Sequence, residues 1–279
     1  MVEDDLAAYG KRVLPWLQLD PVENTVLATV LVSRIDGTIA ARDLWLAWLA
    51  GPGGEVAGVA LRTPPRGLLL SALPADAVAP LAALAQPDLP AASGWVDVVA
   101  AFAEAYADRT GAAAKVDKSL RLYRLGELTA LPSALPSALP PPPGRLRVAG
   151  PDDVDLCARW FVDFATAAGV GPAPDSRADS ARVVAAGRLL LWEVDGRPVA
   201  MVGHSPTVAG VTRIGPVWTP PEHRRRGYAT AATAELAGAL RERGEVVLYA
   251  DRANPTSTGI YLRLGFRPVG EWTDWLLEY

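Results

Sequence analysis

The chain has 279 residues, half of them hydrophobic, and a formal net charge of −4. That length accommodates two domains with sizeable cores, and the mild acidity argues against a general nucleic-acid binder. One cysteine and two histidines exclude an internal disulfide, a cysteine-based zinc cluster and a His-rich metal site.

The start, Met1-Val2-Glu3-Asp4-Asp5, is acidic and lacks the basic residues and apolar core of a signal peptide. No apolar run reaches the ~18 residues of a membrane span, so the expectation is a cytoplasmic protein with no membrane partner. Leu44–Leu49, Glu55–Leu61 and Gly67–Leu73 have the apolar runs of three strands, the first two joined by a hairpin turn at Gly51-Pro52-Gly53-Gly54. That run is not a dinucleotide fingerprint, because the third spaced glycine is missing. Helices are expected over Ala75–Ala85 and Val96–Thr110, and a strand over Ser119–Leu125.

Residues 129–144 are rich in proline, which fixes φ and lacks a backbone donor, so they read as an extended linker. Its Leu-Pro-Ser-Ala near-repeat is either plain linker or a partner motif. Beyond it, Arg145–Val148 begins as a strand, and Pro151-Asp152-Asp153 opens a helix with acid in its first turn. On that helix Cys157 is expected to be a small buried apolar residue. Arg188–Val194 and Pro198–His204 form a hairpin around Asp195-Gly196, and Val211–Trp218 is the next strand. A helix over Ala229–Arg241, a strand over Glu245–Ala250, a short helix over Thr256–Leu264 closed by Gly265, and a strand over Trp272–Leu277 complete the chain. This order fits an α/β fold with a mixed sheet.

The most specific stretch is Thr219-Pro220-Pro221-Glu222-His223-Arg224-Arg225-Arg226-Gly227-Tyr228-Ala229-Thr230, between a strand and a helix. Backbone N–H groups and the helix dipole converge at such a junction, and glycine lets the main chain approach an anion. Arginine adds forked, permanently charged donors suited to pyrophosphate oxygens. Pro216, inside the preceding strand, predicts a bulge that turns amides away from the sheet.

Arg224-x-x-Gly227-x-Ala229 resembles the R/Q-x-x-G-x-G/A loop of the GNAT superfamily of acyl-CoA-dependent N-acetyltransferases. A second block, Asn254-Pro255-Thr256-Ser257 followed by Tyr261 and Gly265-Phe266, is similar to the family's asparagine, its tyrosine seven residues later and its helix-ending Gly-Phe. The resemblance runs from Gly144 to Tyr279. It implies a GNAT domain at 145–279, preceded by a degenerate GNAT-like domain at 1–128 with the linker at 129–144. In the first half the position of the phosphate loop holds Leu73-Pro74-Ala75-Asp76-Ala77, without glycine or arginine and with an acid. That half is therefore expected not to bind CoA, and either shapes a substrate pocket or is architectural.

The resemblance further implies that acetyl-CoA is the cosubstrate, with no metal. Main-chain amides of Val217, Trp218 and Thr219 would hold the pantetheine arm and orient the thioester. Arg224, Arg225, Arg226, Gly227, Tyr228, Ala229 and Thr230 would bind the pyrophosphate, and Asn254 the cofactor arm. Tyr261 would protonate the departing thiolate, and an amine would attack directly in a ternary complex. No general base stands out: Val211–Trp218 contains no acid, and His204, His223, Glu222, Glu193, Asp251 or an ordered water remain options. A non-catalytic acyl-CoA-binding regulatory module is the alternative. The acceptor amine and the oligomeric state are not encoded in these motifs.

Overall fold

The computed structural model describes residues 1–131, 135, 141–169 and 175–279. Its contacts divide the chain into two compact units. The first comprises Met1–Leu122, Ala250–Asn254 and Pro268–Tyr279; the second comprises Tyr123–Tyr249 and Pro255–Arg267. The proline-rich stretch at 129–144 falls within the range of the second unit, and its residues 132–134 and 136–140 lie outside the described residues.

The same order of elements occurs twice. The first run is β1 (Val2–Glu3), α1 (Leu6–Leu17), α2 (Thr25–Ile35), β2 (Trp45–Ala50), β3 (Val56–Arg62), β4 (Leu68–Leu70), α3 (Ala75–Leu84), β5 (Ala91–Trp95), α4 (Val96–Thr110) and β6 (Ala113–Leu125). The second is β7 (Arg145–Val148), α5 (Val154–Ala167), α6 (Ser176–Ala185), β8 (Leu189–Val194), β9 (Arg197–His204), β10 (Val211–Trp218), α7 (Tyr228–Arg241), β11 (Glu245–Asp251), α8 (Pro255–Arg263) and β12 (Phe266–Glu278). Pairing repeats as well. β1–β2, β2–β3 and β3–β4 are antiparallel and β4–β5 parallel. β7–β8, β8–β9 and β9–β10 are antiparallel and β10–β11 parallel. The degenerate first copy expected from the sequence is thus present as the same topology.

In the first unit Asp5 caps α1, its Oδ1 accepting the N–H groups of Ala7 and Ala8 at 2.8 and 3.2 Å. One turn on, the buried Tyr9 hydroxyl lies 3.1 and 2.9 Å from the carbonyls of Ala47 and Ala60, tying the helix to β2 and β3. Leu68, Leu70, Ala92, Val99, Phe102 and Tyr106 form the centre of the core, each worth about 1.5–3 kcal/mol where the side chain is large and fully buried. β12 closes this sheet against β5, from Trp272 opposite Trp95 to Leu276 opposite Ala91. β4 pairs with β3 without a register shift; just past its end Ser71 N–H donates to Val59 O and Ser71 Oγ accepts from Val59 N–H, both at 2.9 Å. The chain then enters α3 through Pro74, with no glycine at the turn.

In the second unit the core gathers Cys157 and Trp160 of α5, Val184 of α6, Leu189 and Leu191 of β8, Met201 of β9 and Trp218 of β10. Arg147 joins β7 to the start of α5: its guanidinium reaches Asp153 at 2.6 and 3.0 Å and Glu193 at 2.5 Å. On α7, small residues (Ala231, Ala232, Ala234 and Ala237) are buried, so this helix lies close to its sheet and its first turn is held firmly.

Candidate functional site

The site is built where β10 ends and α7 begins. β10 runs parallel to β11 from Val211 opposite Glu245 to Ile214 opposite Leu248, and then continues to Trp218 outside that register. Against β9 its register shifts by one residue, from Ile214 opposite His204 to Val217 opposite Val202. This is the bulge that Pro216 predicts, since proline cannot donate to a ladder. Gly215 at φ 150° supplies the conformation that only glycine adopts readily, and open space surrounds the position a Cβ would take.

Pro221–His223 form a single 3₁₀ turn, after which the main chain reverses at Arg225 (φ 62°) and again at Gly227 (φ 82°). Left-handed residues in such a turn point successive N–H groups into one concavity, an anion-binding nest. Gly227 is the N-cap of α7; no side chain caps this helix, and its first turn carries no acid. The orphan donors of Tyr228, Ala229 and Thr230 are therefore left for an anion, and the dipole favours one. Arg224, Arg225 and Arg226 are exposed, whereas Tyr228 and Thr230 are buried and fix the helix start.

The three arginines differ. Arg224 turns back on the strand: its Nε–H donates to Thr219 O at 3.0 Å and its guanidinium carbon lies 4.9 Å from the centre of the Trp218 ring. Arg225 and Arg226 make no ion pair among the described residues. Three buried polar atoms here, Trp218 Nε1, Thr219 Oγ1 and His223 Nδ1, have no hydrogen-bond partner among the described residues. Each costs on the order of 1–3 kcal/mol unless something satisfies it, which fits a ligand-binding corner better than a plain turn. Spacing carried no signal for these three atoms or for the edge of Phe164 that packs on Trp218 at 6.5 Å; only the position of Trp218 at the strand end pointed here.

Tyr261 lies on α8, 7% exposed, its ring packed on Phe266 and its hydroxyl without a hydrogen bond among the described residues. Burial pushes its pKa up to about 12, so the phenol keeps its proton at neutral pH. Gly265 at φ 96° ends the helix, its N–H donating to Leu262 O. Asn254 is exposed just before α8, and its N–H donates to Asp251 O at 3.0 Å; by contacts it belongs to the first unit.

The options for a general base differ in where they stand and what holds them. His204 stands on β9 opposite Ile214, next to the bulge of β10, and its Nδ1 lies 2.8 Å from Ser205 O. Burial chiefly, with Arg188 and Arg243, favours its neutral form. Glu193 accepts from Arg147 and Arg145, and the Arg147 hydrogen bond foremost holds its carboxyl below the usual range, which weakens it as a base. Asp251 Oδ1 accepts the Ala253 N–H at 2.8 Å, and Glu222 is exposed. Cys157 is fully buried with its thiol raised to about 11, chiefly by burial, and is inert. Among the described residues no group of three or more His, Cys, Asp or Glu could hold a metal ion, and no helix is long and apolar enough to cross a membrane.

Residues 156–266 match the model of the Acetyltransferase (GNAT) family. The chain therefore carries a GNAT acetyltransferase domain, an acyl-transferring class, and the loop and tyrosine described above lie inside the matched residues. Among solved structures, the chain is similar to a GCN5-related N-acetyltransferase from Sphaerobacter thermophilus (18% identity, TM-score 0.62), covering 99% of this chain and 94% of that one. A Drosophila protein gives a TM-score of 0.67 at 13% identity, with 99% and 97% covered. A GCN5-related N-acetyltransferase from Kribbella flavida gives 0.53 at 19%, with 90% and 95% covered. At these identities the likeness is one of fold, and it extends over both runs of elements. No curated protein matches the chain in sequence.

Proposed function

We propose that this chain is an acetyl-CoA-dependent N-acetyltransferase. The observation that carries the reading is the bulged end of β10 leading through the left-handed Arg225 and Gly227 into an uncapped α7. Main-chain groups of Val217, Trp218 and Thr219 hold the pantetheine arm and aim the thioester carbonyl. The main-chain N–H groups from Arg225 to Thr230 take the pyrophosphate, and the exposed Arg225 and Arg226 add charge. Asn254 keeps its assigned role at the cofactor arm on the strength of the sequence motif.

A neutral amine attacks the thioester carbon; the tetrahedral intermediate collapses to the amide and a thiolate, which takes the Tyr261 proton. The attacking nitrogen loses its own proton to water, and the phenolate is reprotonated from solvent. A phenol held near 12 is a weak acid, but a thiolate formed beside the same dry ring is raised by the same loss of solvation. No metal enters these steps. The test is release of free CoA from acetyl-CoA across amino acids, polyamines, aminoglycosides and short peptides, with Tyr261→Phe as the comparison. Turnover above the hydrolysis blank that Tyr261→Phe abolishes supports the reading.

A second reading has one observation behind it: the bulged strand carries no acid, and the Glu193 carboxylate is engaged by Arg147 and Arg145. A non-catalytic acyl-CoA-binding module would need no base. Tight acetyl-CoA binding with no turnover across the panel, and none with a protein amine, would favour it.

A further inference from the structure

We infer that Arg224 is a positioning residue that holds the end of β10 in place for the thioester, and that it is not a phosphate ligand. The inference rests on the acetyl-CoA reading above and separates the roles of its three arginines.

The guanidinium of Arg224 is engaged twice, by the last residue of β10 and by the residue that follows it. Its Nε–H is spent on the Thr219 carbonyl at 3.0 Å, and its planar face covers Trp218 at 4.9 Å. The Trp218 ring is braced by the edge of Phe164, whose plane is inclined by 83° to it, and Trp218 is 8% exposed. Arg224 thus fastens the loop back onto Trp218 and Thr219, two of the three residues whose main chain would aim the acyl carbonyl. The reversal at Arg225, φ 62°, then separates Arg224 from the two arginines that follow, and those are the ones left exposed without an ion pair among the described residues. A lysine cannot replace this latch, because it has neither the planar face nor an in-line Nε–H.

The experiment compares acetyl-CoA with S-acetylpantetheine, a donor that carries the same thioester and no phosphate. For a positioning residue, Arg224→Lys and Arg224→Ala lower kcat/KM by the same factor with both donors, on the order of 10²-fold for a displacement near 1 Å. With acetyl-CoA the loss falls on kcat more than on KM. Arg225→Ala and Arg226→Ala raise KM for acetyl-CoA and leave S-acetylpantetheine unaffected. A loss in Arg224→Lys that disappears with S-acetylpantetheine makes Arg224 a phosphate ligand and overturns the inference; so does an unchanged Arg224→Lys. Arg224 is exposed, and a urea midpoint checks that each variant is folded. If the wild-type chain turns over neither donor, the acetyltransferase reading fails, and the latch is judged separately from the indole N–H resonance of Trp218, assigned with Trp218→Phe. Arg224→Lys shifts that resonance if the guanidinium sits on the ring, and leaving it in place overturns the latch.

Discussion

Tyr261 packs edge-on against Phe266, with ring centroids 6.0 Å apart and planes inclined at 66°. The ring is therefore held by packing and the hydroxyl by nothing among the described residues, so the two can be separated by mutation. Tyr261→Phe keeps the packing and is expected to lower kcat by about 10²-fold or more, with stability within about 0.5 kcal/mol of wild type. Acetyl-CoA affinity stays within about twofold. Tyr261→Ala removes the ring and costs about 3–5 kcal/mol of stability. Steady-state kinetics beside urea unfolding separates the two; equal loss of turnover and affinity in Tyr261→Phe would sink the acid assignment.

Gly227 carries a different burden. At φ 82° a side chain is strained, and a Cβ there would lie 3.0 Å from Leu135 Cδ2. Gly227→Ala is expected to lose about 1–2 kcal/mol of stability and, if the strain opens the nest, roughly tenfold in acetyl-CoA affinity for each ~1.4 kcal/mol. Calorimetric titration of acetyl-CoA checks it. Unchanged binding would remove the nest from the site.

The network at Arg147 makes a pH prediction. The Arg147 hydrogen bond foremost, opposed by partial burial and aided by the Gly150 N–H, holds the Asp153 carboxyl below its ordinary value. A depressed folded pKa contributes stability that is present above the ordinary carboxylate range and lost as pH falls through the depressed value. Arg147→Met is therefore less stable than wild type at pH 7, and the gap narrows steadily below about pH 4. Urea midpoints of both proteins from pH 7 to pH 3 read this directly; a gap constant with pH would contradict it.

Cys157 should resist thiol reagents. With the thiol near 11 and no exposed surface, the thiolate fraction at pH 8 is about 10⁻³. Labelling with a disulfide reagent should follow unfolding and not thiol ionisation. The sign for stability is the reverse of that at Asp153: this contribution is complete below the ordinary thiol range and is lost as pH rises toward about 11.

The site was more legible in the sequence than the elements around it. Pro216, Gly227 and the arginines announce the bulge and the loop because each imposes a backbone state that other residues avoid. The misses have physical causes. α2, Thr25–Ile35, is apolar on nearly every side and rich in β-branched residues, so it shows no helical stripe. α6 is polar and lacks a stripe for the opposite reason. β5, Ala-Ala-Ser-Gly-Trp, has little strand propensity and is extended because Gly94 must lie close to Leu70, whose carbonyl would meet a Cβ at 2.8 Å. β12 begins six residues before the expected strand start at Trp272, because Pro268 and Gly270 interrupt its pattern. What the guanidinium of Arg224 touches could not be read from Arg-Arg-Arg at all, since three identical side chains differ only in where the main chain turns.

The pairing of β12 with β5 has a consequence for how this protein is made. The first unit takes its strand from residues 268–279, so a chain emerging from a ribosome carries an unfinished sheet, with the edge of β5 bare, throughout synthesis of the second unit. The half that is translated first is the half that is completed last.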